Sequence, residues 1–292
     1  AYAFYVGLAS VLTETDLLTS VGRMYLSSAA GPSMMMSMIK GHESIRGLTD
    51  VALRGIPQDN VINFWRAFHR GDFFAIDHLV YGIIAQHDLC PKQFWDHAAE
   101  INFLTSYIEQ EMFVPSVLSN KDPSLREKYE ENILPLIEAC IAIQIVYGKT
   151  VEINGKGHMD QGAIIQVPHH YIPLERPQVV ILTKPAEHLP CRSDVGERAL
   201  FKMYQAQKRI NPFILKTVAD RYRILRINEE DLQARYAARR EAGTEEGMVI
   251  IRSDEELPSA TCHSRNELQR ALNIGKRTAE RYLPVLEQLK AY

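Results

Sequence analysis

The chain is predicted to be an α+β protein, predominantly α, on three observations. Apolar residues recur at helical spacing through most of residues 1–147. The character changes at Gly148, after which short β-branched runs alternate with Gly and Pro. Near the C-terminus a helical period returns, with Leu268 and Leu272 four apart and Ala279, Tyr282 and Leu283 continuing the stripe. Three regions follow: a helical domain over residues 1–147, a mixed α/β segment with a small antiparallel sheet over 148–227, and a C-terminal module over 228–292.

The elements follow in chain order. Ala1 to Leu12 is apolar apart from Gly7 and Ser10. It is too short to span a bilayer and has no basic stretch ahead of it, so it is expected as a buried first helix or strand. Thr13 or Thr15 is placed to cap a helix through Leu26, and Gly31-Pro32 to break it. Ser33 then opens a segment with Met34, Met35, Met36 and Met38, which suits core filling or an adaptable binding surface. Asp59 and Asp72 are placed to cap two further helices, the first carrying Phe64, Trp65 and Phe68 and the second Ile76, Val80 and Ile84. Pro91 suits the first turn of a helix running to about Phe113, with Trp95, Ile101, Leu104 and Ile108 as its buried stripe.

Asp122-Pro123 is a strong start signal for a helix through Gly148, kinked at Pro135. Ala139 to Val146 is apolar on nearly all faces, so Ile141 and Ile145 are expected in the core or at a subunit interface, together with the Met34–Met38 surface. Thr150–Ile153 and Ala163–Val167 read as a hairpin with a long tip, Gly155 to Gly162, and Gln178–Leu182 as a third strand. A helix follows from Ser193 or Asp194 through Lys208. Asn211-Pro212 opens another to about Tyr222, then come a short strand Arg223–Ile227, a polar helix from Asn228 through Ala242, and a strand Met248–Ile251.

Composition narrows the class. Of 292 residues, 46% are hydrophobic and 24% charged, as in ordinary globular proteins, and the net charge is −3. Cys90, Cys140, Cys191 and Cys262 show no CxxC spacing, which points to reduced thiols in a cytoplasmic setting and away from structural zinc.

The segment Ser264 to Leu283 resembles a helix-turn-helix or winged-helix unit. One amphipathic helix carries Leu268 and Leu272, Asn273-Ile274-Gly275 supplies a turn with an apolar plug, and a second helix starts at Lys276. Gln269 stands where such units usually have a small residue, and Pro284 truncates the second helix. The resemblance implies nucleic-acid or partner contact through Arg265, Arg270, Lys276, Arg277 and Arg281. The acidic run Asp254-Glu255-Glu256 and the negative net charge oppose long-range steering to a duplex.

Other chemistry is sparse. His42, then His87-Asp88 at the end of an apolar stretch, with Asp220 as a late carboxylate, resembles the pattern of HD-type phosphohydrolases, which implies a divalent metal. Leu89-Cys90 replaces the Gly and Lys that usually follow His-Asp. His169-His170 lie on an extended segment and point to opposite faces, and Gly155-Lys156-Gly157-His158 lacks the spacing of a phosphate loop. No Gly-x-Ser-x-Gly, His-Glu-x-x-His or Gly-x-Gly-x-x-Gly occurs, which leaves hydrolase, zincin and dinucleotide readings without a motif. The sequence therefore leads to a non-catalytic adaptor or accessory subunit of a cytoplasmic assembly, of a size that would suit secretion-type machinery. It is expected to be a homodimer with protein partners, no cofactor, no bound metal and no membrane insertion. A DNA-binding regulator and an HD-like phosphohydrolase are the alternatives.

Overall fold

The computed structural model describes residues 2–28, 30–58, 75–86, 90–143, 147–163, 178–185, 202, 211–219, 221–241, 248–258, 262 and 264–289. Within them the chain is α+β and predominantly α. The first helix, α1 (Tyr2–Glu14), is buried on almost every side, as its unbroken apolar sequence demands. It does not lead into a second helix. The Thr13 and Thr15 hydroxyls bond carbonyls one turn back, at Ala9 and Leu12, and Asp16 turns the chain at φ 55°. Arg23–Leu26, predicted as helix, is instead strand β1, and Gly31-Pro32 lies inside the first turn of α2 (Ala30–Lys40), where proline is tolerated. Helix α3 (His42–Asp50) continues through a π-helical stretch, Val51–Gly55.

The predicted helix from Pro91 to Phe113 is corrected. Only α4 (Pro91–Asp96) is helical, and β2 (Glu100–Glu109) and β3 (Met112–Ser119) follow as a hairpin. Ile101, Leu104 and Ile108 do fall at helical spacing, but Ile101, Phe103 and Thr105 alternate with Asn102, Leu104 and Ser106 equally well. The β-branched and aromatic content favours the strand. Asn120 secures the switch, accepting from Ile101 N–H at 2.8 Å and donating to the Phe94 and Ala99 carbonyls at 2.9 and 3.1 Å.

Strand β2 is the centre of the larger sheet. Strand β3 runs antiparallel along one edge over residues 102–109. The other edge is divided between β1, parallel at 100–103, and β5 (Lys156–Asp160), antiparallel at 105–107. Strand β4 (Val151–Ile153) pairs with β5 through the tight turn Asn154-Gly155, at φ 52° and 75°. The returning strand is thus 156–160 and not the expected 163–167, so the hairpin tip is two residues long. The sheet is mixed in direction, and β6 (Gln178–Leu182) and β7 (Met248–Arg252) form a separate parallel pair.

Asp122 caps α5 (Pro123–Tyr129) as expected, accepting from Ser124 N–H at 2.9 Å and Leu125 N–H at 3.4 Å. That helix does not run on to Gly148. It stops at Tyr129, and Pro135 sits in the first turn of α6 (Leu134–Ile141), so proline starts a helix here and does not kink one. Helix α7 (Pro212–Ala219) is followed by α8 (Arg221–Glu241), which absorbs the short strand expected at Arg223–Ile227. The predicted helix from Asp59 lies outside the described residues, as does that from Ser193 or Asp194 through Lys208 apart from Lys202.

The helix-turn-helix reading is also corrected. Arg265–Leu289 is one helix, α9, running through Asn273-Ile274-Gly275 and through Pro284. Leu268, Ala271, Leu272, Gly275, Ala279 and Leu286 give it an uninterrupted buried stripe. A mid-helix Gly costs about 1 kcal/mol relative to Ala, and here packing offsets it. A Cβ on Gly275 would lie 2.0 Å from the Phe4 carbonyl oxygen, and one on Gly7 1.9 Å from that of Leu272. The glycine thus permits α9 to cross α1 backbone to backbone. One apolar core joins α1, α2, β2, α6 and α9.

Candidate active site

Strand β1 ends at Leu26 and helix α2 begins at Ala30, so only three residues join strand to helix. Ser28 makes the bend at φ 62°, a left-handed conformation that costs an L-residue roughly 1 kcal/mol or more. Such strain at a serine between a strand and a helix is the geometry of a nucleophile elbow, which exposes the hydroxyl at the strand's end. The elbow is tight because Gly31 has no side chain: a Cβ there would stand 3.1 Å from Leu26 Cβ and 3.3 Å from Cys140 Sγ. Ser28 N–H donates to Cys140 O at 3.1 Å, and Gly31 N–H to Ser28 O at 3.0 Å.

The partner comes from the end of β5. Asp160 N–H donates to Ala142 O at 3.0 Å, so the carbonyls at the C-terminal end of α6, which have no partner within the helix, hold both the elbow and the strand end. The Asp160 side chain is fully buried. Its Oδ1 accepts from Ser27 Oγ at 3.0 Å and Gly162 N–H at 2.8 Å, and its Oδ2 has no hydrogen-bond partner. Burial pushes the Asp160 carboxyl up to about 6, against the pull of Gly162 N–H, the Ser27 hydroxyl and the nearby polar groups of Ser28, which make no hydrogen bond of normal geometry to it. A carboxylate poised near neutrality beside a serine hydroxyl is chemically suited to accept its proton. The positive end of the α2 dipole falls on the same serine, where negative charge on a substrate oxygen would develop.

Two neighbouring groups stay neutral. Burial and the Asp160 charge push the Cys140 thiol well up. Burial first, then Lys156, brings His158 down to about 4, and its Nδ1 lies 2.8 Å from Thr105 Oγ1. The hairpin glycines and His158 are therefore strand and turn components.

The residues singled out from sequence are placed elsewhere. Arg265, Arg270, Lys276, Arg277 and Arg281 lie on the outer face of α9. Arg277 bonds Glu255 Oε1 at 2.6 Å, Arg281 bonds Asp254, and Arg270 donates to the Glu256 carbonyl at 3.0 Å. The acidic loop thus neutralises two of these cations and occupies a third, along one continuous helix. Met34, Met35, Met36, Met38 and Ile141 are buried in the chain's own core, the first of the two places expected for them, and so do not form an exposed binding surface; Ile145 lies outside the described residues. His42 is exposed at the start of α3, while His87, Asp88, Asp220, His169 and His170 lie outside the described residues. Among the described residues no cluster of three His, Cys, Asp or Glu could hold a metal, and no helix is long and apolar enough to cross a membrane.

Ser28 and Asp160 escape a motif search because Leu26 and Ala30 stand where Gly-x-Ser-x-Gly has glycine. The usable signal was subtler: a four-residue strand, two serines, Ala-Ala-Gly and an apolar helix, then Asp-Gln-Gly closing a hairpin far along the chain. No family model matches this chain, and no curated protein matches its sequence.

Proposed function

We propose that the chain is a serine hydrolase acting on carboxylic esters through a Ser28–Asp160 dyad. The observation that carries this reading is the left-handed Ser28 at the strand–helix bend, set against a buried carboxylate with one unpartnered oxygen. Ser28 Oγ attacks the ester carbonyl carbon while its proton passes to Asp160 Oδ2. The resulting oxyanion lies at the α2 N-terminus. Collapse breaks the bond to the alkoxy oxygen, which leaves as alcohol with the proton from Asp160. Water then attacks the acyl-Ser28 carbonyl, gives its proton to Asp160, and the acid departs as Ser28 regains a proton. Asp160 Oδ2 has no hydrogen-bond partner in the free chain, and its bond to the Ser28 hydroxyl would form in the catalytic complex.

The test is covalent labelling with a fluorophosphonate together with hydrolysis of p-nitrophenyl butyrate. The wild-type chain is expected to be tagged on the peptide containing Ser28. Ser28→Ala should lose the tag and at least about a thousandfold in kcat, the scale of removing a serine nucleophile. Labelling that persists in Ser28→Ala would sink the proposal.

The adaptor reading drew on the Met34–Met38 and Ile141 face, which the core takes up, so the weight moves to Ser28. A cytoplasmic homodimer remains part of the proposal. The scattered thiols support the compartment, and light scattering at micromolar concentration tests the dimer, which a monomer mass would remove.

A further inference from the structure

We propose that Ser27 is a positioning residue for this reaction, holding Oδ1 of Asp160 so that Oδ2 is left to take the Ser28 proton. The inference rests on the reading of Ser28 and Asp160 as nucleophile and base. Adjacent serines raise the question of which one reacts, and the backbone separates them. Ser28 occupies the left-handed bend and Ser27 does not, while Ser27 lies one residue farther from the α2 N-terminus. Ser27 Oγ instead donates to Asp160 Oδ1 at 3.0 Å, beside Gly162 N–H at 2.8 Å. Two donors occupy the two lone pairs of that oxygen, which leaves proton acceptance to the other.

The space for this arrangement is specific. A Cβ on Gly162 would stand 2.6 Å from Ser27 Oγ and 3.1 Å from Asp160 Oδ1, so only glycine lets hydroxyl and carboxylate meet here. Two ionisable neighbours of Asp160 add no charge: Cys140, from α6, and His158, two residues back along β5, are both held neutral. Thr105, opposite Asp160 on β2, is turned to His158. Among the described residues the tuning of this base is therefore burial set against hydrogen-bond donors, and Ser27 is a donor side chain that can be changed without touching the elbow strain.

The experiment compares Ser27→Ala and Ser27→Thr in the full chain. It reads the pH profile of kcat/KM for p-nitrophenyl butyrate and the Asp160 carboxyl titration by carbon-13 NMR. Losing a hydrogen bond to a charged acceptor should move the acidic limb and the carboxyl titration up by about one pH unit. It should also lower kcat about tenfold with little change in KM. Ser27→Thr, which keeps the hydroxyl, should restore the position of both curves. An unmoved titration in Ser27→Ala would reduce Ser27 to packing and overturn the inference. If Ser27→Ala abolishes fluorophosphonate labelling while Ser28→Ala keeps it, the nucleophile is Ser27, and both this inference and the assignment of Ser28 fall. If the wild-type chain hydrolyses no ester, the reaction and the positioning role fall together, while the carboxyl titration separately decides the Ser27–Asp160 contact.

Discussion

Asp160→Asn is expected to cost at least about a thousandfold in kcat for ester hydrolysis and, above pH 6, to make the protein more stable. Both effects come from the same burial. The Asp160 carboxyl titrates at about 6 in the folded chain because desolvation outweighs its hydrogen-bond donors. In an unfolded chain it would titrate near 3.9. The folded state therefore binds the proton more tightly, and stability associated with this group is fully present below about pH 4 and lost as pH rises through about 6. Each pH unit of displacement is worth ~1.4 kcal/mol, so ionised Asp160 costs up to about 3 kcal/mol at pH 8. Asparagine keeps an oxygen for Ser27 and Gly162 and carries no charge, so it escapes that cost while losing the base. Thermal melts at pH 5 and pH 8 separate the cases. The variant should gain several degrees at pH 8 and little at pH 5, and an equal difference at both would show that folding does not raise the titration of Asp160. The wild-type kcat/KM should rise through about pH 6 and level off above it.

The parts of the fold legible in the sequence were those determined by neighbouring residues. An all-round apolar run marked the first segment as buried, whether helix or strand, Asp122-Pro123 made the cap of α5, Asn154-Gly155 made the hairpin turn, and the β-branched runs made β6 and β7. What failed depended on the partner across the fold. The Glu100–Glu109 run satisfies both a helical and an alternating pattern, and only pairing with β1, β3 and β5 decides between them. Asn273-Ile274-Gly275 has turn chemistry by composition, yet helix α1 uses the glycine as a contact point. The candidate site was illegible for the same reason. The Ser27–Asp160 contact spans 133 positions, and it is the strand register and the end of α6 that bring the elbow to the carboxylate. Reading Arg23–Leu26 as helix also hid the strand-to-helix change that marks Ser28. An expectation of no chemistry followed from motifs that demand glycine where this chain has Leu26 and Ala30.

Gly275→Ala is expected to destabilise the chain by about 3 kcal/mol or more, a large share of the ~5–15 kcal/mol typical of a folded protein. Helix propensity alone predicts the opposite, since Ala is better than Gly by about 1 kcal/mol inside a helix. The crossing decides the sign. The added methyl would stand 2.0 Å from the Phe4 carbonyl oxygen and 2.9 Å from the Leu8 nitrogen, and neither can move without shifting α1 as a whole. Because α1 also packs against α2, displacement would loosen the helix that starts at the Ser28 bend, and activity should fall with stability. Gly7→Ala meets the Leu272 carbonyl at 1.9 Å and should behave alike. Once one methyl has pushed the helices apart the second adds less, so the double variant should cost clearly less than the two single losses together. Gly22→Ala is the control: nothing lies within 4 Å of its added methyl, so its denaturant midpoint should hold or rise slightly. The set also discriminates the two readings of the C-terminal segment. In a helix-turn-helix, Gly275 would sit at an open bend, its replacement would cost about 1 kcal/mol, and it would be energetically independent of Gly7. A midpoint for Gly275→Ala at or above wild type, or strict additivity with Gly7→Ala, would show that α9 does not cross α1 at these glycines.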